Sequence, residues 1–271
     1  MWSTLLLALH AQDERPSAGT TIAIALVVFA YVLFNRRRAR SRTWRLTDHH
    51  RTILAKYAIH YQRSGPAGKQ RMEQVVAMFV NDKRWVGAGI EVADEMKVMI
   101  SACAAQLLMG FDDVVLSHFE TIVVYPDTYR SPKSGRMHQG EVRPKPGIII
   151  ISWEDFVHGY AHSRDAHNVG LHEMAHALWF ENSIENGEDH FLRADLLQRW
   201  GQLATADVGH IKSGGDHFFR DYAGTNQAEF FAVAVEYFFE QPLAFQEAIP
   251  EHYRLLCGLL RQDPLADGER A

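Results

Sequence analysis

His172 and His176 stand four apart in VGLHEMAHALW, residues 169–179, and Glu173 directly follows the first of them. On a helix, residues i and i+4 share a face one turn apart. Two imidazoles so placed can offer nitrogens to one point, and zinc accepts histidine nitrogen at about 2.0–2.1 Å in a tetrahedral shell. Glu173 lies about 100° round the helix from His172. It therefore does not bind the same ion but can reach a water on it and act as general base. The competing reading is a helix that carries two histidines by chance.

Two histidines leave a tetrahedron incomplete. A catalytic site needs a third protein ligand and an open position for water. The extended pattern HExxHxxGxxH is excluded, because Trp179 fills its glycine position and Asn182 its third-histidine position. The third ligand is better sought in NQAEFFAVAVEYFFE, residues 226–240, where Glu229 and Glu236 sit seven apart among Phe230, Phe231, Val233 and Val235. A carboxylate on an apolar helix is costly unless something pairs with it, and a metal ion is such a partner. On this reading Glu229 is the ligand. Glu236, two turns on, accepts the other N–H of a ligand histidine. The alternative is a pair of salt-bridged glutamates. Tyr222, seven residues before Glu229, suits an oxyanion or proton-donor role, but the residues alone favour a plain capping or core position.

The elements that must position these residues follow from periodicity. TIVVYP at 121–126 is β-branched and stopped by Pro126, so it reads as a strand; GIIIISW at 147–153 reads as a second strand, covered on both faces. Helices are expected at 47–62, 73–85, 91–110, 168–182, 191–204, 226–240 and 250–262. Gly110 is expected to close the third and Pro242 to lie past the sixth. The stretch between Pro126 and Gly147 reads as a loop or a weakly paired hairpin. Strands are few and helices many, which indicates an α+β domain.

The whole chain sets wider limits. Its 271 residues, 47% of them hydrophobic, suffice for a real core. The net charge of -5 gives no general attraction to nucleic acid. Cys103 and Cys257 are the only cysteines, so no disulfide framework is indicated. Residues 18–34 carry no charge, and Arg36, Arg37, Arg38, Arg40 and Arg42 follow at once. Such a run reads as a single membrane anchor with its basic flank in the cytoplasm. The expected organisation is a short tail at 1–17, a transmembrane anchor at 18–35, a basic juxtamembrane linker at 36–45 and a catalytic domain at 46–271. That makes a single-pass protein of the bacterial inner membrane with its domain in the cytoplasm.

Several blocks occur together in a characteristic order: GIEVADEMKVMISACAAQLLMG, VVYPDTY, PGIIIISWEDFVHG, NVGLHEMAHAL and DYAGTNQAEFFAVAVEYFFEQP. Over about residues 70–265 they resemble the MtfA-type zinc-dependent peptidases, named for the Mlc titration factor. That family's catalytic core is similar to the lethal factor metalloprotease. The resemblance implies a zincin-like fold, with His172, His176 and Glu229 as Zn2+ ligands, Glu173 as general base and Tyr222 as the oxyanion or proton-donor residue. It implies hydrolysis of peptides or proteins, with aminopeptidase-like action as one form. It also implies a rival: a membrane-associated protein that binds a regulatory partner and holds a structural zinc. A fourth protein ligand from His167, His190 or His217 would favour that rival. Where family members often carry an aspartate three residues after the second histidine, this chain has Trp179.

Overall fold

The computed structural model describes residues 45–112, 116–131, 135–183 and 191–268. The expected tail, anchor and nearly all of the basic linker lie outside these residues, as does His190. Among the described residues no helix is long and apolar enough to cross a membrane.

The chain forms an α+β domain, mainly helical, around a small sheet. Helices α1 (Asp48–Tyr57), α2 (Ile59–Arg63) and α3 (Pro66–Asp82) lead into strand β1 (Arg84–Gly87), then helix α4 (Asp94–Leu108). Strands β2 (Thr121–Tyr125), β3 (Tyr129–Arg130), β4 (Met137–His138), β5 (Gly140–Arg143) and β6 (Ile148–Ser152) follow. The remainder is helical: α5 (Trp153–Ala161), α6 (Val169–Ser183), α7 (Ala194–Lys212), a 3-10 turn at Asp221–Gly224, α8 (Gln227–Glu240), α9 (Pro242–Ala248), α10 (Pro250–Leu260) and α11 (Pro264–Gly268).

The main sheet has the order β1-β2-β6-β5. Its first three strands are parallel, and β5 closes one edge antiparallel to β6, with Gly140 opposite Ile151. Ile149, Ile150 and Ile151 are buried, as expected for a strand covered on both faces. The residues between Pro126 and Gly147 hold more order than a loop: β3 and β4 pair as a short hairpin, and β5 joins the sheet.

Several expected boundaries move for identifiable reasons. The helix expected at 47–62 breaks at Ala58, which adopts an extended conformation. The break turns Tyr61 inward, where its hydroxyl donates to Glu73 at 2.8 Å. Helix α7 continues to Lys212, beyond the expected 204, because Trp200, Ala204, Val208 and Ile211 extend one buried stripe. Pro242 opens α9 at its first turn, where a missing N–H costs nothing. Strand β1 and helix α5 were not expected.

Helix α6 is buried nearly all round. It packs against α4, α8 and strands β5 and β6. Gly170 permits part of this approach: a Cβ there would meet Phe156 Cε2 at 2.5 Å and Cys103 Sγ at 2.9 Å. The core is continuous from α3 and α4 through α6 to the aromatic cluster of Trp200, Phe230, Phe231 and Phe245. The two histidines are thus carried by a helix held by packed neighbours on most of its sides.

Candidate metal centre

The start of α6 is tied down by side chains rather than left to solvent. Asn168 Oδ1 accepts from Leu171 N at 3.0 Å, which satisfies one orphan donor of the first turn. The backbone N–H of Asn168 donates to Glu236 Oε2 at 2.8 Å, and its side-chain amide donates to Glu240 Oε1 at 2.9 Å. Glu240 Oε2 accepts from Ala166 N at 3.0 Å. Two carboxylates of α8 therefore fix where α6 begins, and so where His172 and His176 stand.

One turn apart, the two imidazoles meet nearly edge to face, with ring centroids 4.6 Å apart. Asn226 caps α8, accepting from Ala228 N and Glu229 N, and this sets Glu229 opposite them. His172 Nε2, His176 Nε2 and Glu229 Oε2 each lie 3.1 Å from the other two. Ligand atoms round a tetrahedral zinc stand about 3.3–3.4 Å apart if each is about 2.05 Å from the ion. A single proton bridges two of these three atoms; a cation can meet all three. The donor set of two imidazole nitrogens and one carboxylate oxygen fits a divalent ion of the zinc type. Among the described residues this is the group that could hold a metal.

The other nitrogen of His172 is also used. Its Nδ1 lies 2.7 Å from Glu236 Oε1, so this nitrogen faces outward and Nε2 faces the cluster. His176 Nδ1 is buried without a hydrogen-bond partner. Among the protein's own charges, burial opposes ionisation of His172, but Glu236 and Glu229 outweigh it and raise its pKa to about 10. Burial likewise opposes ionisation of Glu229, yet its bonds to His172 and His176 hold it well below the usual carboxylate range. Burial lowers the pKa of His176.

Glu173 lies in a tight gap against β5 and lines the same groove as His172. Burial pushes its pKa up to about 8 against the pull of His172. Its Oε2 is buried and unpartnered. The gap exists because residue 140 is glycine: a Cβ there would fall 2.5 Å from Glu173 Cγ and Oε1. Tyr222 sits across the opening, 51% exposed, with its ring 5.9 Å from that of His172. Burial and Glu229 raise its phenol to about 12, so it remains protonated and able to donate. A groove of about 410 Å³ is lined by His172, Glu173 and Tyr222 together with residues 137–140, His167 and Arg220.

The structure therefore brings together all five residues nominated from sequence, and Glu236 beside them. Of the histidines considered as a fourth ligand, His167 lines the groove with Nδ1 against Asp165 O. His217 lies apart, packed on Phe219 and Phe230 and facing Asp207 at 3.8 Å. Trp179, where members of the family it resembles often carry an aspartate, packs on Phe231 with ring centroids 5.2 Å apart. Two residues were missed. Gly140 had no visible role in a charged loop. Arg220, in HFFRDYAG, had no periodic context to mark it.

The sequence profile of the glucose-regulated metallo-peptidase M90 family matches residues 33–261. The chain belongs to this family. An uncharacterised protein of Synechocystis is 27% identical over 236 residues, covering 81% of this chain and 86% of its own length. Proteins called Mlc titration factor A are similar too. That of Yersinia enterocolitica is 27% identical over 216 residues, covering 73% of this chain and 80% of its own. That of Yersinia pestis is 26% identical over the same length. The resemblance to the MtfA-type peptidases thus holds. Membership of a metallopeptidase family implies a metal ion, and the cluster of His172, His176 and Glu229 is where this chain could hold one.

Proposed function

We propose that the chain is a zinc-dependent peptidase whose metal is held by His172, His176 and Glu229, with a position left open toward the groove. The observation that carries this reading is the convergence of three lone-pair atoms at 3.1 Å separations beside a buried carboxylate that no other group engages through Oε2. Zinc, when bound, supplies a Lewis acid that polarises a peptide carbonyl and makes water more acidic.

The chain's own residues do the rest. Glu173 takes a proton from the attacking water and passes it to the departing amine. Tyr222 donates a hydrogen bond to the carbonyl oxygen as negative charge develops on it. Gly140 leaves room for Glu173, and Glu236 keeps His172 turned toward the cluster. The groove takes an extended peptide or protein segment. A ligand set of three with an open position is the catalytic pattern, whereas structural zinc sites are usually closed by four protein ligands. Support for an anchor at residues 18–35, with the domain on the cytoplasmic face of the inner membrane, is the charge-free run and the arginines that follow it.

The test is Glu173→Gln. It should keep one zinc per chain and lose hydrolysis of both aminoacyl anilides, which report aminopeptidase-like action, and N-blocked peptides. Turnover retained by this variant would remove the general base from the reading.

A further inference from the structure

Glu236 is a carboxylate with 1% exposure in the middle of an apolar helix. It accepts from three groups at once. His172 Nδ1 reaches Oε1 at 2.7 Å, Asn168 N reaches Oε2 at 2.8 Å, and Arg220 Nη2 reaches Oε1 at 2.6 Å. Arg220 alone among these three brings a permanent charge. Its other arm, Nη1, donates to the carbonyl of Ala166, in the bend that precedes α6. Ala166 holds a left-handed backbone, φ 56°, so this bend is the kind that needs an outside hold.

We propose that Arg220 is a positioning residue for the metal centre, acting on both of its sides. This role rests on the ligand set proposed above and follows from shared geometry. The guanidinium fork spans the bend before α6 and the carboxylate on α8, and the same Glu236 oxygen meets His172. Moving Arg220 therefore moves the group that fixes the ring plane of His172. Arg220 is also the residue from which the 3-10 turn departs: Ala223 N donates to its carbonyl at 2.9 Å. That turn carries Tyr222. Because the Tyr222 ring is half exposed, its place over the groove depends on the backbone beneath it. The far end of the turn is held where Gly224 lies against Ile211. The near end carries the fork of Arg220. One side chain thus sets His172 through Glu236 and helps set Tyr222 through the chain.

A lysine keeps the charge but presents one compact ammonium, which cannot fork between Ala166 O and Glu236. Outer partners of metal-bound histidines typically change metal affinity about 10–100-fold when lost. The experiment compares wild type, Arg220→Ala and Arg220→Lys on the full chain. Zinc affinity is read by competition with a chromophoric chelator, the visible spectrum is read after cobalt substitution, and kcat and KM are taken on one peptide. Arg220→Ala should bind zinc at least tenfold more weakly, shift the cobalt spectrum and lower kcat more than KM, with the helical circular dichroism kept. Arg220→Lys should fall between it and wild type. If Arg220→Ala fails to fold, Arg220→Lys carries the test by the same criteria. Zinc affinity within twofold of wild type and an unchanged cobalt spectrum in a folded variant would overturn the proposal. Wild-type protein that holds no metal, or Glu229→Ala that holds it as well as wild type, would instead overturn the ligand assignment beneath it.

Discussion

Replacing Gly140 by alanine asks whether Glu173 works from the one position its surroundings allow. The added Cβ falls 2.5 Å from Cγ and Oε1 of Glu173 and 2.7 Å from Cδ. Non-bonded carbons settle about 3.5–4.0 Å apart, so one partner must retreat by roughly 1 Å. Helix α6 cannot yield as a body, since Gly170, Met174, Ala175 and Ala177 are packed in the core. The displacement therefore falls on the Glu173 side chain or on the edge strand β5. A reacting group misplaced by about 1 Å costs about 10²-fold in rate, which is about 2.7 kcal/mol of barrier. Overpacking should cost the fold about 1–3 kcal/mol. The three metal-cluster residues are untouched. The assay is kcat on a fluorogenic peptide, with zinc content and urea unfolding measured on the same sample. Expected are full zinc, a modest loss of stability and a rate near one hundredth of wild type. A rate within threefold of wild type would refute the reasoning, and so would a fall in rate that tracks a fall in zinc.

Other perturbations reach the remaining parts of the argument. Dialysis against a strong chelator should stop hydrolysis and added zinc should restore it; hydrolysis that survives chelation would exclude a metal-dependent reaction. Glu229→Ala should drop zinc content well below one per chain while the helices persist, because the residue sits at the capped first turn of α8 and not in its packed centre. Trp200→Ala removes a fully buried ring that lies 5.7 Å from both Phe230 and Phe231, and should cost about 3–5 kcal/mol by urea unfolding. Glu240 titrates differently from an ordinary carboxyl: burial lifts its pKa from 4.5 to about 7 in spite of its bonds to Asn168 and Ala166. The folded chain then holds a proton that the unfolded chain releases. Its contribution is fully present below about pH 4.5 and fades as pH rises to about 7, by up to about 3 kcal/mol. Glu240→Gln should flatten that part of the stability profile, and an unchanged slope would reject the assignment.

Much of the fold could be read from sequence, and what could be read was local. TIVVY and IIIIS declare themselves as strands by composition, and the structure pairs them in parallel register from Thr121 opposite Ile148. The helix of His172 and His176 carries its own chemical signal, because i and i+4 are neighbours whatever surrounds them. Strands RWVG and GEVR were not legible. Each is four residues long and does not alternate, and each exists because a stronger strand offers it hydrogen bonds along one edge. The break at Ala58 has the same origin: it serves a contact between Tyr61 and Glu73 that no local pattern announces.

The site divides along the same line. Glu229 and Glu236 could be found because a carboxylate among phenylalanines carries a cost visible in the sequence itself. What offsets the cost is not visible. For Glu236 the offset comes from His172, 64 residues away, from Asn168, 68 residues away, and from Arg220, 16 residues away. For Glu173 the enabling feature is an absence, the missing side chain of Gly140, in a stretch that reads from sequence as a loop or a weakly paired hairpin. A polar residue in an apolar setting therefore says that a partner exists without saying which, and the partner need carry no signal of its own. Arg220 is the case in point. It follows two phenylalanines in an unremarkable connection, yet its two arms reach the bend before α6 and the carboxylate on α8. Its place was decided by the packing of three segments, and it could be assigned only once those segments were seen together.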